Sequence, residues 1–312
     1  MPTPTGDVVG QRRWYYPAMA VPGIAWLIIL FILPFYAIAA VAFGGLDPIF
    51  AGPAPTWNPL EWDFTAFRTI VGELVSGGPA QIFFRRTLLY IAIAVSISIT
   101  VGYPVAYYVS RHGGRLKVLL LTLMIAPFWM SYLMRMLAWV NLLSDSPETP
   151  GLINQLLVDA TPFFDSPVNW GAGNAAHMTV ILGLVYGYIP FFILPLYAAL
   201  DRIDRSQLDA ARDLGGSPRS TFWRVTLPLS KQGILAGTVI IMLPMFGDYY
   251  TPDLMSGQNK TRIIGNQINS LIHTQGKAPE GASLTLLLSG FVAILMLYYL
   301  ISVSRAAREA RR

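Results

Sequence analysis

The chain has 312 residues, of which 54% are hydrophobic and only 12% are charged, about half the charged share of an average soluble domain. It contains no cysteine, which excludes disulfide bonds, cysteine nucleophiles and cysteine-ligated metals. The formal net charge is +5, but the basic residues stand in short stretches beside apolar runs and form no single nucleic-acid-binding face. These features predict a membrane protein that contacts lipid and binds no nucleic acid.

Six apolar stretches follow one another along the chain and predict six transmembrane helices, since about 20 apolar residues cross a bilayer. They are Val21–Phe43, Leu88–Tyr108, Val118–Leu143, Met178–Leu200, Gly233–Phe246 and Ala282–Val303. The fifth stretch is short as a purely apolar run. It crosses only if its helix extends through Asp248 and Tyr249, or begins within the segment that follows Pro228.

Lysine and arginine residues predict which segments are cytoplasmic, because positive charges near span ends are retained on that side. Most of them fall in one alternating set, which includes residues 1–20, segment 201–231 and a basic tail, 304–312. Both termini are therefore expected in the cytoplasm, on either side of a six-span domain, 21–303. A cleaved signal peptide is the alternative for the first stretch, but its apolar run exceeds the 7–15 residues typical of such peptides.

Segment 201–231, between the fourth and fifth spans, is too regular for a simple loop. Ser206 stands three residues before Asp209, as in a capping box, and predicts the start of a short helix. Gly215 and the glycine after it predict the end of that helix.

A second helix is predicted directly afterwards. Ser217 and Pro218 have the pattern of an N-cap followed by a proline in the first turn. Pro228 either closes this helix or kinks it into the fifth span. A pair of short helices beside the membrane favours docking into a groove of another protein.

Six residues of this segment have a spacing that resembles the Glu-Ala-Ala loop of permease subunits in binding-protein-dependent ABC importers. They are Asp209, Ala210, Ala211, Gly215, Leu227 and Pro228. The family docks this loop onto its ATPase, so the resemblance implies an ATPase-coupling role for the six residues. Aspartate stands where the family usually has glutamate, which shortens the carboxylate reach but keeps the charge. By local chemistry alone, Asp209 only caps a helix and Gly215 only ends one.

Four further segments resemble the polyamine, or spermidine/putrescine, branch of these permeases. They are Pro127–Trp139, Gly151–Asn154, Leu196–Leu200 and Gly247–Asp253. The resemblance extends over about residues 87–303 and implies an all-α membrane protein with six transmembrane helices in the type I ABC importer permease fold. It implies a translocation path for a small organic solute, with a polyamine as the leading substrate and an opine or amino-acid derivative as the alternative.

The same resemblance implies a subunit of a larger pump in the bacterial inner membrane. A second permease subunit pairs with it, usually a different chain and less often an identical one. Two ATPase subunits bind ATP and magnesium on the cytoplasmic side, and an extracytoplasmic binding protein delivers the solute. The chain has no GxxxxGK[ST] phosphate-binding loop, so we expect it to bind no cofactor itself and to leave ATP hydrolysis to its partners.

Two ionisable residues, Asp248 and Arg135, fall within or beside predicted spans, where a charge costs about 3 kcal/mol or more. A carboxylate can replace the hydration shell of an ammonium group, so Asp248 is a candidate substrate-path residue for a polycation. Aromatic side chains that could add cation–π contacts are Trp129, Tyr132, Trp139 and Tyr249. The alternative is that Asp248 lies at the interface or pairs with Arg135, while the aromatic rings only pack or anchor the helices.

No sequence pattern indicates an enzyme. The chain has neither an HExxH nor a GxSxG pattern, and none of its three histidines has metal-ligand spacing. A self-sufficient secondary transporter is a second hypothesis, although the two halves show no inverted repeat of the kind common in such carriers. A membrane-embedded enzyme or scaffold is the third.

Overall fold

The computed structural model describes residues 15–160 and 166–309, and most of these are helical. The first part contains α1 (Tyr15–Ala42), α2 (Thr65–Ser76), α3 (Pro79–His112), α4 (Lys117–Ile125), α5 (Tyr132–Leu142) and α6 (Leu152–Ala160). The second part contains α7 (Gly173–Asp201), α8 (Arg205–Asp213), α9 (Pro218–Thr221), α10 (Leu227–Gly247), α11 (Tyr250–Met255), α12 (Ile264–His273) and α13 (Ala278–Glu309). A small antiparallel pair joins β1 (Gly45–Leu46) and β2 (Pro53–Ala54).

The chain divides into two compact units. The first extends to Gly72 and includes Leu271–Leu287, whose backbone and side chains bond to the segment around β1 and β2. There the Gln275 side chain donates to the carbonyl oxygen of Phe50 at 3.0 Å. The second unit contains Glu73–Ser270 and the rest of α13, and it holds every candidate site residue.

Five helices are long and apolar enough to cross a membrane, among the residues that the structure describes. They are Ala18–Ala42, Pro79–His112, Gly173–Asp201, Pro218–Gly247 and Ala278–Arg305. Four of them confirm the predicted first, second, fourth and sixth spans. Most extend beyond the purely apolar runs, because a helix continues into polar turns at the membrane surface.

The predicted third span, Val118–Leu143, is wrong as a single helix. Gly114–Trp129 and Tyr132–Leu142 meet at an angle of 91°. Pro127 lies in a tight 3-10 turn and has no amide hydrogen, and Met130 is extended, so the ladder of helical hydrogen bonds is interrupted. Counted as one span, this bent pair brings the total to six.

The fifth span starts farther upstream than predicted. Extension through Asp248 is wrong, because α10 ends at Gly247 and Asp248 is extended. Pro228 does not close the helix, which is continuous from Pro218. A π-helical turn at Phe222–Thr226 comes directly before the proline and adjusts the hydrogen-bond ladder that its missing N–H would interrupt.

The long helices α3 and α7 run in the same direction. Tyr90 bonds to His177 near the start of both helices, and Arg111 donates to the carbonyl oxygens of Leu200 and Ile203 near their ends, at 3.0 Å each. The bent pair of α4 and α5 therefore returns the chain from one end of the bundle to the other, as a transmembrane span must.

Close helix contacts depend on glycine. A Cβ on Gly102 of α3 would lie 2.8 Å from the Phe192 ring, and one on Gly237 of α10 would lie 2.8 Å from the same side chain. Phe192 of α7 is fully buried between these two helices. Small residues at such positions let membrane helices approach closely, and this packing fixes α3, α7 and α10 as the core of the second unit.

Candidate functional site

Segment 201–231 begins with a capped helix, but the cap is not the predicted one. Asp204 is the N-cap of α8, and its carboxylate accepts from the backbone N–H of Ser206 at 3.1 Å. The predicted Ser206–Asp209 capping box is therefore wrong. In a capping box, the Asp209 carboxylate would accept from the backbone N–H of Ser206. Asp204, two residues upstream of Ser206, accepts from that N–H group instead.

Gly215 ends α8 in the manner that the sequence predicts. Its φ of +83° is left-handed, its N–H donates to Arg212 at 2.8 Å, and the N–H of Gly216 donates to Ala211 at 3.0 Å. This pair of bonds is a Schellman motif. Ser217 then accepts from the N–H of Ser220 at 3.2 Å and begins α9, with Pro218 in its first turn.

Aromatic packing attaches this segment to the bundle. The Phe222 ring lies edge-on to Tyr103 and Tyr107 of α3, with centroids 5.6 and 5.8 Å apart. The Tyr103 hydroxyl is 2.9 Å from that of Ser230, one turn into α10. The segment that follows α9 is therefore packed directly against α3, and α3 is bonded to α10.

The outer face of the segment is open and partly apolar. Leu214 is 90% exposed and Trp223 is 59% exposed, although both are large hydrophobic residues. Asp209 forms an exposed ion pair with Arg212 at 3.6 Å and takes no part in capping α8. Of the other predicted coupling residues, Ala210, Gly215 and Pro228 are exposed, while Ala211 and Leu227 are half-buried.

A buried carboxylate lies at the end of the fifth span, beside the bend of the third. Asp248 is 6% exposed and stands between α10 and α11. Its oxygens accept from the N–H of Thr251 at 3.0 Å, the hydroxyl of Thr251 at 2.6 Å, Tyr132 at 3.0 Å and Tyr188 at 3.2 Å. We call these four residues the Asp248 cluster. Four donors on one carboxylate offset much of the cost of burying its charge.

Two glycines of α7 leave space for the side chains of the Asp248 cluster. A Cβ on Gly183 would lie 2.6 Å from the Thr251 side chain, and one on Gly187 would lie 2.9 Å from the Tyr132 ring. The glycines are four residues apart and form one notch on α7. The bent third span, through Tyr132, and the short helix α11, through Thr251, both pack into this notch.

Arg135 is buried without a counter-ion. It is 7% exposed, and its guanidinium carbon lies 3.9 Å from the centre of the Phe128 ring, with Tyr132 and Tyr186 farther out at 5.5 and 5.9 Å. Its Nε and Nη1 atoms have no hydrogen-bond partner. Among the described residues, no ion pair joins Arg135 to Asp248, so the predicted alternative of a direct pair is not found.

The other predicted path residues lie apart from the cluster. Trp129 is 81% exposed at the bend of the third span. Trp139 packs edge-on against Tyr186 at 5.3 Å, and Tyr249 stacks on Tyr250 at 4.1 Å. Of the predicted aromatic residues, only Tyr132 bonds to Asp248.

Sequence reasoning missed Tyr188 and Thr251. Tyr188 sits in a long apolar run, where a tyrosine has many structural uses, and only its partner 60 residues away reveals its role. Thr251 carried a usable signal, since a threonine three residues after an aspartate is a local capping pattern. Within the described ranges, no three His, Asp or Glu side chains could hold a metal ion.

Comparisons with known proteins identify the family of this chain. Residues 98–310 match the family described as binding-protein-dependent transport system inner membrane component. The chain belongs to this family. It is the transmembrane permease subunit of an ABC importer and a multi-pass protein of the inner membrane.

Several relatives of this chain are named as permeases, and two of those described below are spermidine/putrescine permeases. The spermidine/putrescine transport system permease protein PotB of Haemophilus influenzae is 32% identical over 277 residues, covering 88% of this chain and 89% of that protein. PotB of Escherichia coli is 36% identical over 207 residues, covering 66% and 72%. The inner membrane ABC transporter permease protein YdcU of Escherichia coli is 30% identical over 289 residues, covering 91% of this chain and 90% of that protein.

A solved structure shows the same fold. A chain of a bacterial alginate ABC transporter, in complex with an alginate pentasaccharide-bound periplasmic protein, superposes on this permease with a TM-score of 0.69. The identity is 18% and the match covers 96% of both chains, so the likeness is one of fold alone. It agrees with the predicted type I permease fold.

Proposed function

We propose that this permease carries a polyamine such as spermidine or putrescine, delivered by an extracytoplasmic binding protein. The observation that carries the proposal is the 32% identity over 277 residues to a relative named as a spermidine/putrescine permease. The Asp248 cluster supports it, because broken helices often form the solute site of a transporter and a carboxylate there favours a cation.

The cluster suits an ammonium group in a specific way. The hydroxyl groups of Tyr132 and Tyr188 donate to Asp248, and the Tyr132 hydroxyl also bonds to that of Thr251. Hydroxyl oxygens are acceptors that an ammonium group can contact beside the carboxylate. Asp248 thus attracts the solute, and the two tyrosines contact it. Trp129, Trp139 and Tyr249 retain the role of further cation–π contacts along the path.

We assign the docking of the ATPase to segment 201–231, with coupling through Asp209, Ala210, Ala211, Gly215, Leu227 and Pro228. The exposed Leu214 and Trp223 support this assignment, because such side chains fit an apolar groove on a partner. Two ATPase subunits bind ATP and magnesium there, and their closure tilts α8 and α9. The Phe222 ring passes this tilt to α3, and the segment and both termini face the cytoplasm.

The remaining partners follow from the same proposal. We propose that a second, non-identical permease subunit pairs with this one to form a heterodimer. An extracytoplasmic binding protein docks at the opposite end of the bundle from segment 201–231. The solved alginate transporter, whose complex includes a periplasmic protein, supports this order of subunits through its fold.

One observation favours a second candidate solute. Arg135 is buried with two guanidinium nitrogens unpaired, close to the same Tyr132 that bonds to Asp248. A solute with both a carboxylate and an ammonium group, such as an opine or amino-acid derivative, would satisfy the arginine as well as the aspartate. The polyamine proposal assigns Arg135 a packing role against Phe128 instead.

The test is to coexpress this chain with neighbouring ATPase, permease and binding-protein subunits, purify through this chain, and measure ATP hydrolysis. We expect copurification, and stimulation by the binding protein loaded with spermidine or putrescine. Stimulation by a zwitterionic solute alone would replace the polyamine. Transport by the purified chain alone would contradict the assignment of an ATPase partner.

A further inference from the structure

An apolar groove of about 850 Å³ lies between α3 and α7, at the end of the bundle opposite segment 201–231. Leu88, Leu89 and Ile93 of α3 and Met178 of α7 line its length, and all four are at least 37% exposed. The proposed transport function uses none of these side chains. Their exposure along a membrane helix indicates contact with lipid chains or with another apolar surface.

Two arginines stand at the rim of the groove. Arg86 is held in place, because its Nη1 atom donates to the carbonyl oxygens of Arg262 at 2.8 Å and Asn259 at 3.3 Å. Arg85 is exposed and takes part in no ion pair among the described residues. The groove lining contains no aspartate or glutamate, so its rim is positive and uncompensated.

The level of these charges along α3 is informative. Arg85 precedes Leu88, the first residue of the apolar run, by three positions, which is about 4.5 Å along a helix axis. Lipid phosphates lie at about this distance outside the hydrocarbon core, and arginine side chains extend toward them. Tyr90 and His177 also line the groove, and their side chains bond to each other.

We propose that this groove binds one anionic phospholipid. Its phosphate contacts Arg85 and Arg86, and one acyl chain lies along Leu88, Leu89, Ile93 and Met178. The occupant must carry a negative group at one end and an apolar chain beyond it, and an anionic lipid does both. Guanidinium groups bind phosphate with two parallel hydrogen bonds.

The experiment is native mass spectrometry of the full-length chain with its copurifying subunits, titrated with phosphatidylglycerol or with phosphatidylcholine of the same acyl chains. We expect one tightly retained phosphatidylglycerol. Arg85→Gln should lower its retention about fivefold, the effect of one basic residue near an anionic headgroup. Arg68→Gln is the matched control, since Arg68 is also exposed but lies outside the groove, and it should retain the lipid as wild type does.

A second variant tests the apolar part separately. Met178→Trp fills the groove while keeping both arginines, and it should also lower phosphatidylglycerol retention. Equal retention in wild type, Arg85→Gln and Met178→Trp would overturn the proposal, as would equal binding of phosphatidylcholine. Because the chain has no native cysteine, a Met178→Cys variant offers a unique crosslinking site. A maleimide photocrosslinker attached to this thiol needs no cysteine on the partner, and its crosslink to the second permease subunit would show a protein occupant and overturn the proposal too.

Discussion

The hydroxyl of Tyr132, at the bend of the third span, donates to the carboxylate of Asp248, at the end of the fifth, at 3.0 Å. Tyr132 begins α5 directly after the 91° bend, and Asp248 separates α10 from α11. The break in the third span and the end of the fifth span therefore meet at one hydrogen bond. Such breaks place polar backbone and side chains inside the membrane, which is tolerated only where they are buried or line a path.

Replacement of Asp248 tests how much the stability of the protein depends on the hydrogen bonds to this carboxylate. Asp248→Ala leaves the hydroxyl groups of Tyr132, Tyr188 and Thr251 without their acceptor, and we expect a loss of about 3 kcal/mol in stability. Asp248→Asn keeps one acceptor oxygen and should cost less. Tyr188→Phe, which removes a single donor, should cost only about 1 kcal/mol. Thermal unfolding of the purified variants in detergent checks this order, and an Asp248→Ala variant as stable as wild type would contradict it.

Substitution of two neighbouring aromatic residues in segment 201–231 should distinguish an effect on folding from an effect on docking. Phe222→Ala removes the ring that packs on Tyr103 and Tyr107, and we expect it to destabilise the subunit by about 2 kcal/mol. Trp223→Ala removes an exposed ring and should leave the melting temperature unchanged while it weakens ATPase copurification. Copurification of Trp223→Ala at the wild-type level would argue against an ATPase on this face.

Backbone conformation gives a third prediction. Gly215→Ala forces a φ of +83° on a residue with a side chain, a strain of about 1 kcal/mol or more that favours other conformations of the turn. We expect a fall of about fivefold or more in transport, with normal membrane insertion. Gly77→Ala is the matched control, because Gly77 has a φ of +88° but lies between α2 and α3. Equal effects of the two substitutions would show strain without a specific coupling role for Gly215.

Arg135 distinguishes the two candidate solutes. Arg135→Met removes a buried charge with two unpaired nitrogens and keeps the apolar contact with Phe128, so the protein should be equally or more stable. If the solute is a polyamine, its transport should persist in this variant. If the solute carries a carboxylate, transport should fall by about tenfold or more, since a charged hydrogen bond is lost. Uptake of labelled spermidine and of a labelled zwitterionic solute by the variant is the measurement, with wild type as the reference.

Local chemistry explains which features the sequence could predict. Ser217, Pro218 and Gly215 act on backbone groups within a few residues, so their roles were readable and the structure confirms the turn and the second helix. The helix start was predicted at the wrong residue, because Asp204 and Ser206 are both good N-caps and composition does not rank them. The long apolar runs predict spans because a helix of about 20 apolar residues is stable in the hydrocarbon core of a bilayer.

Long-range packing explains what the sequence could not predict. The run Val118–Leu143 is mostly apolar, so its hydropathy hides the bend that follows Pro127. The partners of Asp248 come from α5, α7 and α11, and no local spacing connects Tyr132 with Tyr188. The role of the glycine notch on α7 likewise depends on side chains from distant segments, which the sequence alone does not identify.

The most direct test of the central claim is ATP-driven uptake of labelled spermidine into proteoliposomes that contain the assembled transporter, with its binding protein outside and ATP inside. The account predicts uptake that requires ATP and the binding protein, persists in Gly77→Ala and falls in Gly215→Ala. Spermidine uptake that continues without ATP or without the ATPase subunits would contradict it.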